Sequence, residues 1–394
     1  MTAEWFDLGQ RLRASTEVRV VPRLERAPFA GAYDPIAVRA SVKAGTATAT
    51  LAGPGAASVT VNGQAAILEA LASLGAKSAV SGATFAASIP QTLITDDPAT
   101  LPALLSIAND VDPKSPYAEV AARIGWWANR ADFPGTSAVV NLPSACRAMW
   151  VTGEDPVAEK NPSVWRRWLG IQDASPSGML TILDRLLARG SLPLLDELRL
   201  ADVHDWLRVK ISAADGYDWR APDHVGRAAV GLAARCAASE VFAGALLSDP
   251  LWRRRAVHTG HVVSGRLIDA ASGTATIECP RLDARMRPEA GFVGWAGKAG
   301  YVPRHCFKGT LSSTATAGTS LLLTAQTGRS QLPPVGAVVT LMPAPPRPQA
   351  ISQAIRRYVY LYSTRTSWLT TGRTPIPSRR DVPLEVLVAA AEQE

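Results

Sequence analysis

The chain of 394 residues is 47% hydrophobic and 19% charged, which excludes a disordered or fibrous protein, and its length exceeds the size at which one hydrophobic core stops growing, so two or three domains are expected. The formal net charge of +7 is unevenly placed: residues 1–250 hold 23 Lys+Arg against 26 Asp+Glu, and residues 251–394 hold 18 against 8. That asymmetry points to a polyanionic partner for the second part, whereas the excess of arginine over lysine, 34 to 7, follows from GC-rich coding alone.

Trp5, Leu8 and Leu12 recur at helical spacing and predict a short opening helix over 4–13. Residues 17–24, 37–43, 46–52 and 58–61 are short, Val/Thr-rich and separated by turn residues that include Asn62-Gly63, the pattern of a small antiparallel sheet. A helix from Gln64 to Leu74 is expected to stop at Gly75.

From Asp97 the pattern turns helical and is expected to stay so up to Asp249-Pro250. Ser115-Pro116 with Glu119, Asn161-Pro162 and Pro222-Asp223 supply opening turns. Residues 179–188 and 193–200, joined at Gly190, resemble a helix-turn-helix, but Asp196 and Glu197 open the second helix and would repel phosphates. The apolar stretch 228–247 carries Arg235 and Glu240 and is mostly alanine and glycine, so it is expected to be a buried helix and not a membrane span.

After Trp252-Arg253-Arg254-Arg255 the residues become β-branched and glycine-punctuated. Segments 261–269, 274–279, 292–295, 310–316, 320–325 and 337–342 have the density of a small β-barrel or sandwich. The run Pro343 to Pro348 ends it as a stiff linker. A tail helix comes next, with Ile351, Ile355, Tyr358, Val359 and Tyr362 on one apolar stripe and Arg356, Arg357 and Tyr360 elsewhere. An exposed loop over 370–380 and a short helix from Pro383 close the chain. The expected fold class is α+β: an N-terminal β-rich segment (1–96), a helical middle (97–252), a small barrel or sandwich (253–346) and a basic helical tail (347–394).

Guanidinium groups pair with phosphates, and aromatic faces stack on unpaired bases. The residues offering that chemistry are Arg253, Arg254, Arg255, Arg281, Arg285 and Arg287, then Arg356, Arg357, Arg365, Arg373, Arg379 and Arg380. Trp295, Tyr301, Phe307, Tyr358, Tyr360, Tyr362 and Trp368 are interleaved with them, and Tyr360 and Trp368 are the most informative because Tyr358 and Tyr362 lie on the apolar stripe. The opposite reading makes the arginines a solvated surface and the aromatics core.

His258, His261, Cys279 and His305, with Cys306 beside the last, are the weak candidates for a metal site. Their spacing does not make four ligands, so no metal and no cofactor are expected. Gly294, Gly297 and Gly300 around Lys298 read as a glycine-rich turn, because neither the spacing nor a following helix fits a phosphate loop. Asp202, Asp205, Asp215 and Asp218 near His204, Trp206 and Trp219 read as caps and loops in preference to an acid/base pair. Trp165 and Trp168 flank Arg166-Arg167 in the helical middle, where protein partners would dock if the tryptophans are anchors and not core.

Four cysteines without disulfide spacing, and no basic-then-apolar leader, predict a cytoplasmic setting with no membrane partner. The expected function is non-enzymatic nucleic-acid binding through the barrel and tail, with a protein scaffold as the first alternative and an unrecognised hydrolase or metalloenzyme as the second.

Overall fold

The computed structural model describes residues 3–29, 31–77, 90–221, 225–271, 273–301, 303, 306–328, 331–346 and 349–363. In chain order, α1 (Ala3–Glu17) leads to the two-residue strand β1 (Val21–Pro22), then β2 (Ile36–Lys43), β3 (Thr46–Ala52), β4 (Val59–Asn62) and α2 (Gln64–Lys77). Next come β5 (Leu93–Thr95), α3 (Thr100–Asn109), α4 (Ala118–Arg130), β6 (Val139–Asn141), α5 (Leu142–Met149) and β7 (Trp150–Val151). The helices α6 (Pro162–Leu169), α7 (Pro176–Leu187), α8 (Leu195–Ala214), α9 (Val225–Leu246) and α10 (Pro250–His258) complete the helical part.

The first sheet has the order β4-β3-β2-β5-β6. Its β2-β3-β4 half is antiparallel, as expected, but β5 and β6 join parallel to β2, with Ile36 opposite Leu93 and Leu93 opposite Val139. The sheet is therefore mixed, and its last strand comes from residues expected to be wholly helical.

Strand alternation divides the core into two layers. Ile36, Val38 and Ala40 face α2, α3 and α4, where Ile67, Leu71, Leu104, Ile124 and Trp127 are buried. On the other face, Ala37, Ile94 and Val140 meet Cys146, Trp150 and Trp165 with Met179, Ile182 and Leu186 from α7. The first layer runs continuously from Ile36 to Trp206, so the strands before residue 96 and the helices after it share one core.

Beyond α10, all six expected strands form a closed antiparallel barrel. They are β8 (Val263–Ala271), β9 (Thr274–Cys279), β10 (Gly291–Ala296), β11 (Phe307–Ala317), β12 (Ser320–Gln326) and β13 (Val338–Pro343), in the order β8-β9-β12-β11-β10-β13 back to β8. Closure leaves no free edge. Leu267, Ile277, Phe292, Leu311, Leu323 and Leu341 fill the interior, and the Phe292 and Phe307 rings meet edge to face at 6.1 Å. Gly294 is required there, because a methyl group on it would overlap the Phe307 ring.

The final described helix, α11 (Ala350–Ser363), packs on α9 and α8. Ile351 is buried and Ile355 partly buried against that bundle, but Tyr358 and Val359 are exposed, so the apolar stripe ends one turn earlier than expected. The long helix α9, expected to be buried, buries one stripe, including Ala234, Ala238 and Val241, and exposes Val225 and Leu232. By length and composition it is the one helix among the described residues able to cross a membrane.

One buried ion pair ties the sheet to α8. Asp202 accepts from Arg130 Nε at 2.8 Å, from Ser137 N at 2.8 Å and from Thr136 Oγ1 at 3.0 Å, with both charged side chains almost wholly buried. Removing one partner of a buried pair leaves the other charge uncompensated. Asp202→Ala is expected to destabilise the protein by about 3–5 kcal/mol, read as a lower urea midpoint; an unchanged midpoint would contradict the role given to this pair.

A candidate anion-binding cleft beside the barrel

The run Arg253-Arg254-Arg255 lies on α10, whose start is fixed by Pro250 in its first turn and by the Asp249 carboxylate accepting from Leu251 N at 2.7 Å. Successive helical residues point about 100° apart, so the three arginines diverge. Arg253 turns inward and is 3% exposed. It donates to four main-chain carbonyls: Ala299 at 3.0 Å, Leu247 at 3.1 Å, Ser248 at 2.9 Å and Tyr301 at 3.1 Å. Its guanidinium also lies 5.6 Å from the Trp295 ring centroid. Burial pulls its pKa below the ordinary arginine value, with Asp249 acting against the shift.

Arg255 pairs with Glu25 and stacks on Trp252, whose indole donates to Arg26 O at 2.8 Å. These contacts fasten α10 to the N-terminal segment. Arg254 is left pointing outward and exposed. A methyl on Gly300 would overlap its Nε, so glycine at 300 lets the Arg254 side chain lie on the turn.

That turn comes directly after β10 and is held from several sides. Gly297 N donates to Val338 O at 2.8 Å, Thr340 Oγ1 donates to Gly297 O at 2.7 Å, and Tyr301 N donates to Lys298 O at 3.0 Å. With Arg253 bound to two of its carbonyls, the turn is a fixed platform that presents Lys298 and Tyr301 outward.

Between α10 and the barrel wall lies a cleft of about 790 Å³. Arg254, Val257 and His258 line it from α10, Ser264 and Arg266 from β8, Glu278 from β9, and Lys298 to Tyr301 from the turn. Arg266 sits directly across the strand pair from Glu278. Among the described residues, Arg254, Arg266 and Lys298 form no ion pair. The cleft is therefore lined by three cations that form no ion pair among the described residues and by one carboxylate, Glu278, opposite Arg266, beside an aromatic ring that is 57% exposed. Cations with no carboxylate partner at the mouth of a partly apolar cleft suit an anion that also carries a flat group.

Of the arginines expected to bind nucleic acid, Arg254 alone lines this cleft. Arg253 is engaged inside the protein, and Arg255 is tied to Glu25. Arg285 and Arg287 are exposed on the segment between β9 and β10, where the neighbouring Arg281 pairs with Asp283. Arg356, Arg357 and Tyr360 are exposed on α11. Arg365, Trp368, Arg373, Arg379 and Arg380 lie outside the described residues.

The aromatics separate in the same way. Trp295 and Phe307 are buried, which leaves Tyr301 as the exposed one at the barrel. Arg266 and Glu278 were missed by sequence reasoning, and Lys298 was set aside there as part of a glycine-rich turn. The alternation of β8 and β9 carried the signal for Arg266 and Glu278, since both sit out of step with the apolar positions.

The histidine and cysteine candidates are dispersed. His258 lines the cleft, the His261 ring lies 3.0 Å from Thr259 Oγ1, Cys279 is in the barrel interior, and His305 lies outside the described residues. Among the described residues no three His, Cys, Asp or Glu side chains group as metal ligands. The acidic residues near Trp206 serve the fold: Asp202 as above, Asp205 accepting from Trp126 Nε1 at 3.1 Å, and Asp218 pairing with Arg220. Trp165 is core, its indole donating to Glu159 O at 2.7 Å.

No protein-family model, curated protein or solved structure matches this chain.

All four cysteines are free: Cys236 and Cys306 are exposed, Cys146 and Cys279 buried. Burial, helped by Glu278, pushes the Cys279 thiol up to about 12, and burial raises Cys146 as well. Because the thiolate is the reactive form, a disulfide reagent at pH 8 is expected to titrate two thiols in the native protein and four in denaturant. Rapid native reaction of all four would contradict the packing of Cys146 and Cys279.

Proposed function

We propose that the chain is a nucleic-acid-binding protein that holds phosphates on the barrel side of α10 and binds without catalysing. The observation that carries this reading is the cleft in which Arg254, Arg266 and Lys298 meet without an ion-pair partner among the described residues. A cation left unpaired at a concave surface is poised to exchange its counterions for phosphates, which is the main source of nucleic-acid affinity. The surplus of positive charge after residue 250 acts in the same direction by steering polyanions towards this half. Arg285, Arg287, Arg356 and Arg357 are exposed and add sequence-independent contacts.

Two features of the rest of the chain favour binding over catalysis. Of the carboxylates near Trp206, Asp202 and Asp218 are in ion pairs and Asp205 accepts from an indole, and burial holds the Cys146 and Cys279 thiols in their unreactive protonated form. The free cysteines fit work in a reducing compartment such as the cytoplasm.

The test is the salt dependence of oligonucleotide binding, measured by fluorescence anisotropy. Each phosphate contact contributes about one unit of slope in log affinity against log salt. Replacing both Arg254 and Lys298 by alanine is expected to weaken binding of unrelated sequences alike and to reduce that slope by about two. Arg356→Glu with Arg357→Glu is expected to weaken binding through the tail while the fold persists, since both side chains are exposed. Absence of binding at low salt, or a slope unchanged in the Arg254/Lys298 variant, would overturn the reading.

A further inference from the structure

The shape of the cleft says more than its charge. A double helix presents its bases stacked and edge-on, so the face of an aromatic side chain has nothing to meet there, whereas an unpaired base offers a free face. Within the cleft the large exposed ring is Tyr301, standing on the turn that Arg253 fixes from below, with the smaller exposed imidazole of His258 on α10 also lining it. The other aromatics of the turn and barrel core, Trp295, Phe292 and Phe307, are buried.

Three cations line the cleft from three separate elements, α10, β8 and the turn. Glu278, partly buried and the one carboxylate lining the cleft, is acceptor-only when ionised, so it selects a ligand that carries an N–H or O–H as well as the phosphate. The volume of about 790 Å³ lies in the range of small-molecule sites.

Building on the nucleic-acid reading, we infer that the cleft receives one unpaired nucleotide of a single strand, with its phosphate on Arg254, Arg266 and Lys298 and its base against Tyr301. Glu278 then accepts from an amino group of the base or a hydroxyl of the sugar. Selectivity for single strands resides in Tyr301, and affinity resides in the three cations.

The experiment uses the full chain and a fluorescent single-stranded oligonucleotide, the same sequence as a duplex, and two competitors, adenosine monophosphate and inorganic phosphate. Tyr301→Ala is suitable because its main-chain carbonyl, which Arg253 uses, remains in place; an unchanged thermal midpoint confirms that the fold persists. Wild-type protein is expected to bind the single strand more tightly than the duplex. Tyr301→Ala should weaken single-strand binding about tenfold or more and leave duplex binding unchanged, and Tyr301→Phe, which keeps the ring, should retain the preference. The monophosphate should displace the oligonucleotide at concentrations where phosphate does not.

Equal binding of both forms, unaffected by Tyr301→Ala, would overturn the inference and leave the nucleic-acid reading standing. Displacement by phosphate as readily as by the nucleotide would likewise overturn it, marking the cleft as a simple anion site. No binding of either form would remove both.

Discussion

The buried guanidinium of Arg253 is the constraint on which the candidate site depends. It is a charge placed inside the protein that forms no ion pair among the described residues; four main-chain carbonyls and the Trp295 ring satisfy it, with Asp249 nearby favouring the charge. Such a group is costly to bury unless its hydrogen bonds are made, so the geometry that makes them is strongly specified. Two of those carbonyls belong to the turn after β10, and the other two are Leu247 and Ser248, just past the end of α9. One side chain thus sets the position of helix, barrel and turn together, and the neighbouring Arg254, rotated outward by helical geometry, meets Lys298 and Tyr301 across a cleft that its own helix does not fill.

The two parts of the chain handle charge differently. In the N-terminal part the buried carboxylates are neutralised by arginines: Asp96 by Arg39 and Arg166, Asp202 by Arg130, and Glu159 by Arg11. These pairs join elements distant in sequence and hold the layers around the sheet. Around the barrel, Arg254, Arg266 and Lys298 have no such partners among the described residues. The regional imbalance visible in composition is therefore expressed at the level of individual side chains, which is why the proposed function rests on the barrel and not on the helical part.

Legibility follows the strength of local signals. The barrel strands are readable because β9 alternates apolar and polar residues between glycine and proline turns, and period two survives wherever one face is core and the other solvent. The strands β5 and β6 are not, because three residues are too few to show alternation, and β5 is buried throughout while β6 buries only Val140 fully. Arg253 cannot be told from Arg254 by residue type, since only the helical phase decides which enters the protein. Lys298 does lie in a glycine turn, but the helix that turns this loop into one wall of a cleft lies more than forty residues earlier in the chain. Tyr301 ranks below Tyr360 on sequence for the same reason: exposure of an aromatic is a tertiary property.

The central claim is that nucleic acid is held between α10 and the barrel, and hydrogen–deuterium exchange of the full chain, with and without a saturating single-stranded oligonucleotide, tests it most directly. Because bound ligand slows the opening of the segments it contacts, the account predicts added protection at residues 254–258, 264–266 and 298–301. Protection confined to other parts of the chain, with these three segments unchanged, would contradict it.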